Sequence, residues 1–146
     1  MKRTTWIGVD PGKNGGISFI FHTDPVAYKI PETNADLVEL LRNIQEMSGG
    51  NCFACLERVS SSPQMGVVSA FTFGQGYGAL QMALTACGIP FELVSPAVWQ
   101  REMKCLSRGD KNVTKRRAQE LFPTIKISHA IADSLLIAEY CRRTFP

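Results

Sequence analysis

Thr5-Trp6-Ile7-Gly8-Val9-Asp10 runs into Pro11-Gly12-Lys13-Asn14-Gly15-Gly16, and Ile17-Ser18-Phe19-Ile20-Phe21 follows at once. The flanks are rich in β-branched and aromatic residues and the middle is a dense turn signal. The stretch therefore predicts a β-hairpin whose first strand ends on an acid. Working outward, Val26 to Ile30 can add a third strand, and Asn34 to Met47 has apolar residues at 37, 40, 41 and 44, a helical spacing. Cys52 to Val59 reads as a buried strand, Val67 to Cys87 as mostly helical, and Phe91 to Val94 as a further strand. Ser95 before Pro96 predicts an N-cap with proline in the first helical position, opening a short helix through Trp99. A basic helix is expected from about Val113 to Phe122, stopping before Pro123, and Ser128 is placed to cap a last helix reaching about Arg143. Strands interleaved with helices, with no repeat or linker, give a single α/β domain over residues 1–146 with a mixed sheet.

With 146 residues, 45% of them hydrophobic, the chain has material for one core and not for two. Charged residues make up 20%, which argues against wholesale disorder. No apolar run approaches the roughly 20 residues needed to span a bilayer. The basic start, Met1 to Thr5, leads into an apolar run that reaches Asp10 without a cleavage pattern, so the expected location is the cytoplasm with no membrane association. An odd number of cysteines, at 52, 55, 87, 105 and 141, does not make a disulfide framework. Cys52-x-x-Cys55 lacks a second Cys/His pair and lies in a strand-like run, which favours buried structural thiols over a zinc or redox site.

The net charge of +3 is unevenly spread. Arg101 to Lys126 holds eight Lys/Arg against three acids, a local +5, and the rest of the chain sums to −2. That pattern fits a polyanion-binding surface and fits an ordinary solvated helix face equally well.

The strongest candidates for chemistry are three acids. Asp10 ends the first strand, Glu57 lies toward the end of the buried strand, and Asp133 sits among Ile131, Leu135, Leu136 and Ile137 in the last helix. A charge on an apolar helix face is costly unless it is paired or binds a metal. If the two strands are neighbours and the helix packs on the sheet, the three carboxylates meet. Magnesium prefers such oxygen ligands and completes its shell with water and phosphate. Two ions about 4 Å apart then favour phosphodiester hydrolysis by in-line displacement. Singly, each acid has a structural alternative: Asp10 as a turn residue before Pro11, Glu57 as a partner of Arg58 or another cation, Asp133 as a cap or ion-pair member.

Ile7-Gly8-Val9-Asp10-Pro11-Gly12 resembles the first catalytic motif of the RuvC-type Holliday-junction resolvases, and Phe53 to Val59 (FACLERV) resembles the strand with their second acid. Phe73 to Gly78 (FGQGYG) is similar to their Gly-Gln helix motif, and His129 to Ala138 (HAIADSLLIA) to their terminal helix with its final acid. The four motifs come in the family's order and span nearly the whole chain, and the Ser95–Trp99 segment with the basic helix ending Leu121-Phe122-Pro123 is most similar to compact phage-type members. The resemblance implies a ribonuclease-H-like α/β fold, with a mixed five-stranded sheet and helices on both faces. It implies two Mg²⁺ ions, replaceable by Mn²⁺, bound by Asp10, Glu57 and Asp133, and a homodimer that places paired nicks in four-way DNA junctions. Many members carry another acid three or four residues before the last. Here those positions are Ala130 and His129, and His129 stands either as a fourth ligand or proton-transfer group, one helical turn from Asp133, or as a helix cap. Glu139, six residues on, faces another way.

Lys104, Arg108, Lys111, Lys115 and Arg116 are the expected DNA-phosphate contacts, one of the lysines a candidate for stabilising the transition state. Gly74, Gly76 and Gly78 would each cost about 1 kcal/mol in a helix. They point to close helix contact, as at the family's dimer interface, to a local break, or to core packing. The loop Ser60 to Gly66 is expected to border the active site, with Met65 or Phe71 as an imperfect wedge, and His22 to be a surface residue. An actin-like phosphotransferase would need a second domain. A flap or RNA nuclease of the same fold, and a non-catalytic junction-binding module, remain as rivals.

Overall fold

The computed structural model describes residues 3–145. The opening hairpin is β1 (Thr5–Asp10) and β2 (Gly16–Phe21), and β3 (Asp24–Lys29) extends it antiparallel. After α1 (Asn34–Met47), β4 (Cys52–Glu57) enters parallel to β1. Then α2 (Val67–Ala86) crosses over to β5 (Phe91–Val94), parallel to β4. The chain closes with α3 (Pro96–Glu102), α4 (Lys111–Leu121) and α5 (His129–Thr144). The mixed five-stranded sheet has the order β3-β2-β1-β4-β5.

Alternation along the strands separates two apolar layers. Ile7, Val9, Ile17, Phe19, Ala54 and Leu56 pack with Leu37, Leu41 and Ile44 of α1 and Leu80, Ala83 and Leu84 of α2. On the opposite face Trp6, Ile20, Cys55 and Val94 pack with Trp99 of α3, Ala118 of α4 and a run of α5 residues that includes Leu135, Leu136 and Cys141. Helices thus cover both faces, as expected. All five cysteines are free and buried, which matches their reading as core thiols. No helix among the described residues is long and apolar enough to cross a membrane.

α5 lies hard against β1 because two glycines admit it. A methyl group at Gly8 would sit 2.9 Å from Ala138 Cα and closer still to Ala138 N and Ser134 O. One at Gly16 would lie 2.7 Å from Ala130 O and 2.8 Å from Ser134 Oγ. At this crossing the buried Ser18 and Ser134 hydroxyls are 2.6 Å apart, and since Ser134 Oγ donates to Ile131 O at 3.0 Å, it is Ser18 that donates to Ser134.

Several boundaries differ from expectation. β3 starts at Asp24 because the two-residue turn His22-Thr23 pairs Phe21 directly with Asp24, with His22 at φ 59°. β4 ends at Glu57, although Arg58 N still donates to Val94 O at 2.7 Å. α3 runs on past Trp99 to Glu102. α4 begins at Lys111 and not Val113, because the Asp110 side chain accepts from Asn112 N at 3.0 Å and caps it there. Ser128 does occupy the N-cap position of α5, but its side chain makes no capping bond. The glycines of α2 break nothing and pack against nothing: the helix is continuous, and a methyl at Gly74, Gly76 or Gly78 would meet no atom within 4 Å. Core packing as their purpose is therefore ruled out.

Candidate active site

Parallel pairing of β1 and β4 in the register Val9↔Leu56 carries Asp10 and Glu57 side by side to the carboxyl edge of the sheet. α5 starts over the same edge, so Asp133, in its second turn, approaches both. Their proximity shows in their acidities. Burial, then the charges of Glu57 and Asp133, push the Asp10 carboxyl up to about 8. Burial raises Glu57 to about 7 and Asp133 adds to this, against the Trp99 hydrogen bond, which favours the carboxylate. Asp133 is raised by burial and is opposed by a hydrogen bond from Thr114 and by the charges of Lys111 and His129.

None of the ion pairs among the described residues involves these acids, so the pairing alternatives for Glu57 and Asp133 do not hold. Glu139 is instead neutralised at the far end of α5, 2.6 Å from Arg142 Nη2 and 2.8 Å from Arg143 Nε. One buried and two half-buried acids, Glu57 with Asp10 and Asp133, lie close together without a protein cation in contact and form a donor set that a divalent ion would relieve. Among the described residues, no three His, Cys, Asp or Glu side chains close tightly enough to grip one ion unaided.

A cleft of about 410 Å³ opens beside the acids. Glu57, Asp133 and Thr114 line it, along with Pro96, Gln100 and the turn Ser107-Arg108-Gly109 that leads to Lys111. Arg108 is held there at φ 51°, followed by Gly109 at φ 91°, and the Gln100 side-chain oxygen accepts from both Ser107 N and Ser107 Oγ at 3.1 Å. Of the five cations expected to meet phosphate, the fold brings Arg108 and Lys111 to the cleft, and Lys111 is near enough to Asp10 and Asp133 to favour their ionised forms. Lys104, Lys115 and Arg116 do not line it. Lys104 is exposed after α3, and on α4 Arg116 is exposed and Lys115 half-buried. His129, exposed at the start of α5, stands within electrostatic reach of Asp133. The loop 60–66 is not part of the cleft wall. His22 is on the surface, edge-on to Phe21 at 4.2 Å between rings.

Three supporting residues escaped the sequence reading. By sequence Trp99 marks only the end of a helix, and Thr114 and Gln100 carry no signal. The one available clue was position: a helix starting one residue after β5 must lie against the end of β4.

No family model matches the sequence, and no curated protein matches it by sequence. Solved structures do match. Thermus thermophilus RuvC superposes with a TM-score of 0.61 at 17% identity, covering 95% of each chain. The same protein in complex with Holliday junction substrate gives 0.62 at 17%, covering 98% of this chain and 97% of that one. The fold is that of the RuvC resolvases. The yeast mitochondrial Holliday junction resolvase superposes with a TM-score of 0.52 at 16% identity, over 97% of this chain and 78% of its own. The RuvC-like fold thus accounts for the whole described chain, from the hairpin to α5, with the acids at the sheet edge.

Proposed function

We propose that this chain is a metal-dependent endonuclease that resolves four-way DNA junctions. One observation carries the reading: Asp10, Glu57 and Asp133, far apart in sequence, converge at one sheet edge, where Glu57 and Asp133 both raise the pKa of Asp10 and Asp133 raises that of Glu57, next to a cleft walled by Arg108 and Lys111. Asp10, Glu57 and Asp133 would hold two Mg²⁺ ions, with Mn²⁺ able to replace them and His129 as an outer ligand or proton carrier. Bound there, the ions would supply Lewis-acid stabilisation of the displaced oxygen and an attacking water of lowered pKa. Arg108 and Lys111 bind the phosphate backbone, and Lys111, nearest the acids, offsets charge that builds on the phosphorane-like oxygens. Lys104, Lys115 and Arg116 extend the contact along the duplex arms.

Two nicks placed symmetrically need two centres, and a two-fold homodimer supplies them. The first half of α2 supports one. Val67, Val68 and Phe71 are 87%, 79% and 68% exposed, an apolar surface with glycines that let a second helix approach closely. The neighbour solved on Holliday junction DNA makes branched DNA the substrate to test first.

Cleavage of a labelled synthetic four-way junction is to be compared with linear duplex, a flap and single-stranded RNA, in Mg²⁺ or Mn²⁺, for wild type and Asp10→Asn. Paired symmetric nicks in the junction alone, lost in the variant, are expected. Equal cutting of flaps would widen the activity to branched DNA, and metal-dependent cutting of no substrate would reduce the protein to a binding module.

A further inference from the structure

The Trp99 indole is wholly buried, and its Nε1–H donates to Glu57 Oε2 at 2.7 Å, a short, charge-assisted bond between groups 42 residues apart. We infer that Trp99 is a positioning residue for Glu57, holding one carboxylate oxygen so that the other is presented to a divalent cation in the cleft. The inference rests on the reading of Glu57 as a metal ligand given above.

The backbone fixes the indole from two sides. β5 pairs Val94 with Glu57, and α3 begins at once after it, so the helix that carries Trp99 starts beside the carboxylate it serves. The ring is wedged in the apolar layer with Met103, Cys105, Ala118 and Phe122 and cannot turn away without opening the core. An indole has one donor and no acceptor, so the direction of this bond is unambiguous. With Oε2 taken, Oε1 has no protein donor among the described residues and is the oxygen left for a ligand. The identity of the donor also matters. A lysine or arginine there would orient Glu57 equally well but would cancel the negative charge a cation needs. A neutral N–H orients the carboxylate and leaves its charge in place.

A purely structural role would require only that the buried N–H find some acceptor. The two roles separate in metal affinity, where loss of an orienting partner behind a ligand costs about 10- to 100-fold. Mn²⁺ binding to the full chain is to be measured by calorimetry for wild type, Trp99→Phe and Trp6→Phe. Trp6 is the control, a second buried indole that lies edge-on to Phe53 in the same apolar layer. Because Trp99→Phe leaves a gap in the core, a second variant places benzothienylalanine at 99, which keeps the ring shape and removes only the N–H. Circular dichroism checks that each is folded. A parallel arm records the indole ¹⁵N–H resonances of metal-free wild type and Glu57→Gln. The expected result is Mn²⁺ affinity lowered about 10- to 100-fold in both position-99 variants, unchanged in Trp6→Phe, with the Trp99 indole resonance moved by Glu57→Gln. Wild-type affinity in the folded benzothienylalanine variant overturns the inference. Wild-type protein that binds no Mn²⁺ overturns the ligand reading instead. The indole arm then decides alone, a resonance indifferent to Glu57→Gln refuting the pairing.

Discussion

Replacing Gly8 by alanine adds a single methyl group where the fold has left no room, and this tests how the acids are brought together. The new carbon would lie 2.9 Å from Ala138 Cα and nearer to Ala138 N and Ser134 O, all backbone atoms of α5 that no side-chain rotation can clear. The helix has to retreat by roughly 1 Å, an overpacking whose usual cost is about 1–3 kcal/mol. The upper end is expected, since the retreat also strains the buried Ser18–Ser134 bond of 2.6 Å. The same movement carries Asp133 away from Asp10 and Glu57, and a 1 Å error in a reacting constellation costs about 100-fold in rate. Urea unfolding and single-turnover junction cleavage measure the two effects on one preparation. A Gly8→Ala protein within about 0.5 kcal/mol of wild type and equally active would show that α5 is not seated on β1 as described.

Three further outcomes follow from the site and the surface. Asp10 and Glu57 bind protons more tightly folded than unfolded, so their contribution to stability is present below about 4 and lost as pH rises through about 7 and about 8. Metal-free Asp10→Asn should therefore gain at least about 1 kcal/mol on wild type above that range and nothing near pH 4, as urea unfolding with chelator will show, and a pH-independent difference contradicts the charge cluster. Arg108→Ala should weaken junction binding and reduce the salt slope by about 0.9, whereas Arg142→Ala, at the far end of α5, leaves both alone; equal effects in a fluorescence-anisotropy titration would remove the cleft from the DNA surface. Phe71→Asp buries a charge in any contact made by α2, so light scattering should report a monomer where wild type gives a dimer, and an unchanged mass would place the dimer contact elsewhere.

The periodic elements were legible because their signals are local. The turn from Pro11 to Gly16, the helical spacing from Leu37 to Ile44 and the Ser95-Pro96 start each appear in the structure where the chain pattern put them. The third strand was legible too, but not the tightness of the turn before it, since His22-Thr23 carries neither the Gly nor the Asn that usually marks a two-residue hairpin loop. Asp10, Glu57 and Asp133 could be named from residue type and from what surrounds them in sequence. What supports them could not, because Trp99 reaches Glu57 across 42 positions and Thr114 reaches Asp133 through a helix packing that no spacing encodes. The α2 glycines could not be assigned for a related reason: small residues look alike in sequence whether they sit in a core or on an open face, and only the fold shows Gly74 and Gly78 with nothing beside them.

The strand order has a bearing on assembly. Its two outer strands are poor templates for another chain: β3 places Pro25 in the ladder, losing an N–H, and flanks it with Asp24 and Lys29, while β5 is only four residues long. Sheet-to-sheet addition, which would propagate without limit, is thus discouraged at both rims. Any self-association is left to helical surfaces, where a symmetric contact would consume itself on forming and growth would stop at a finite number of copies.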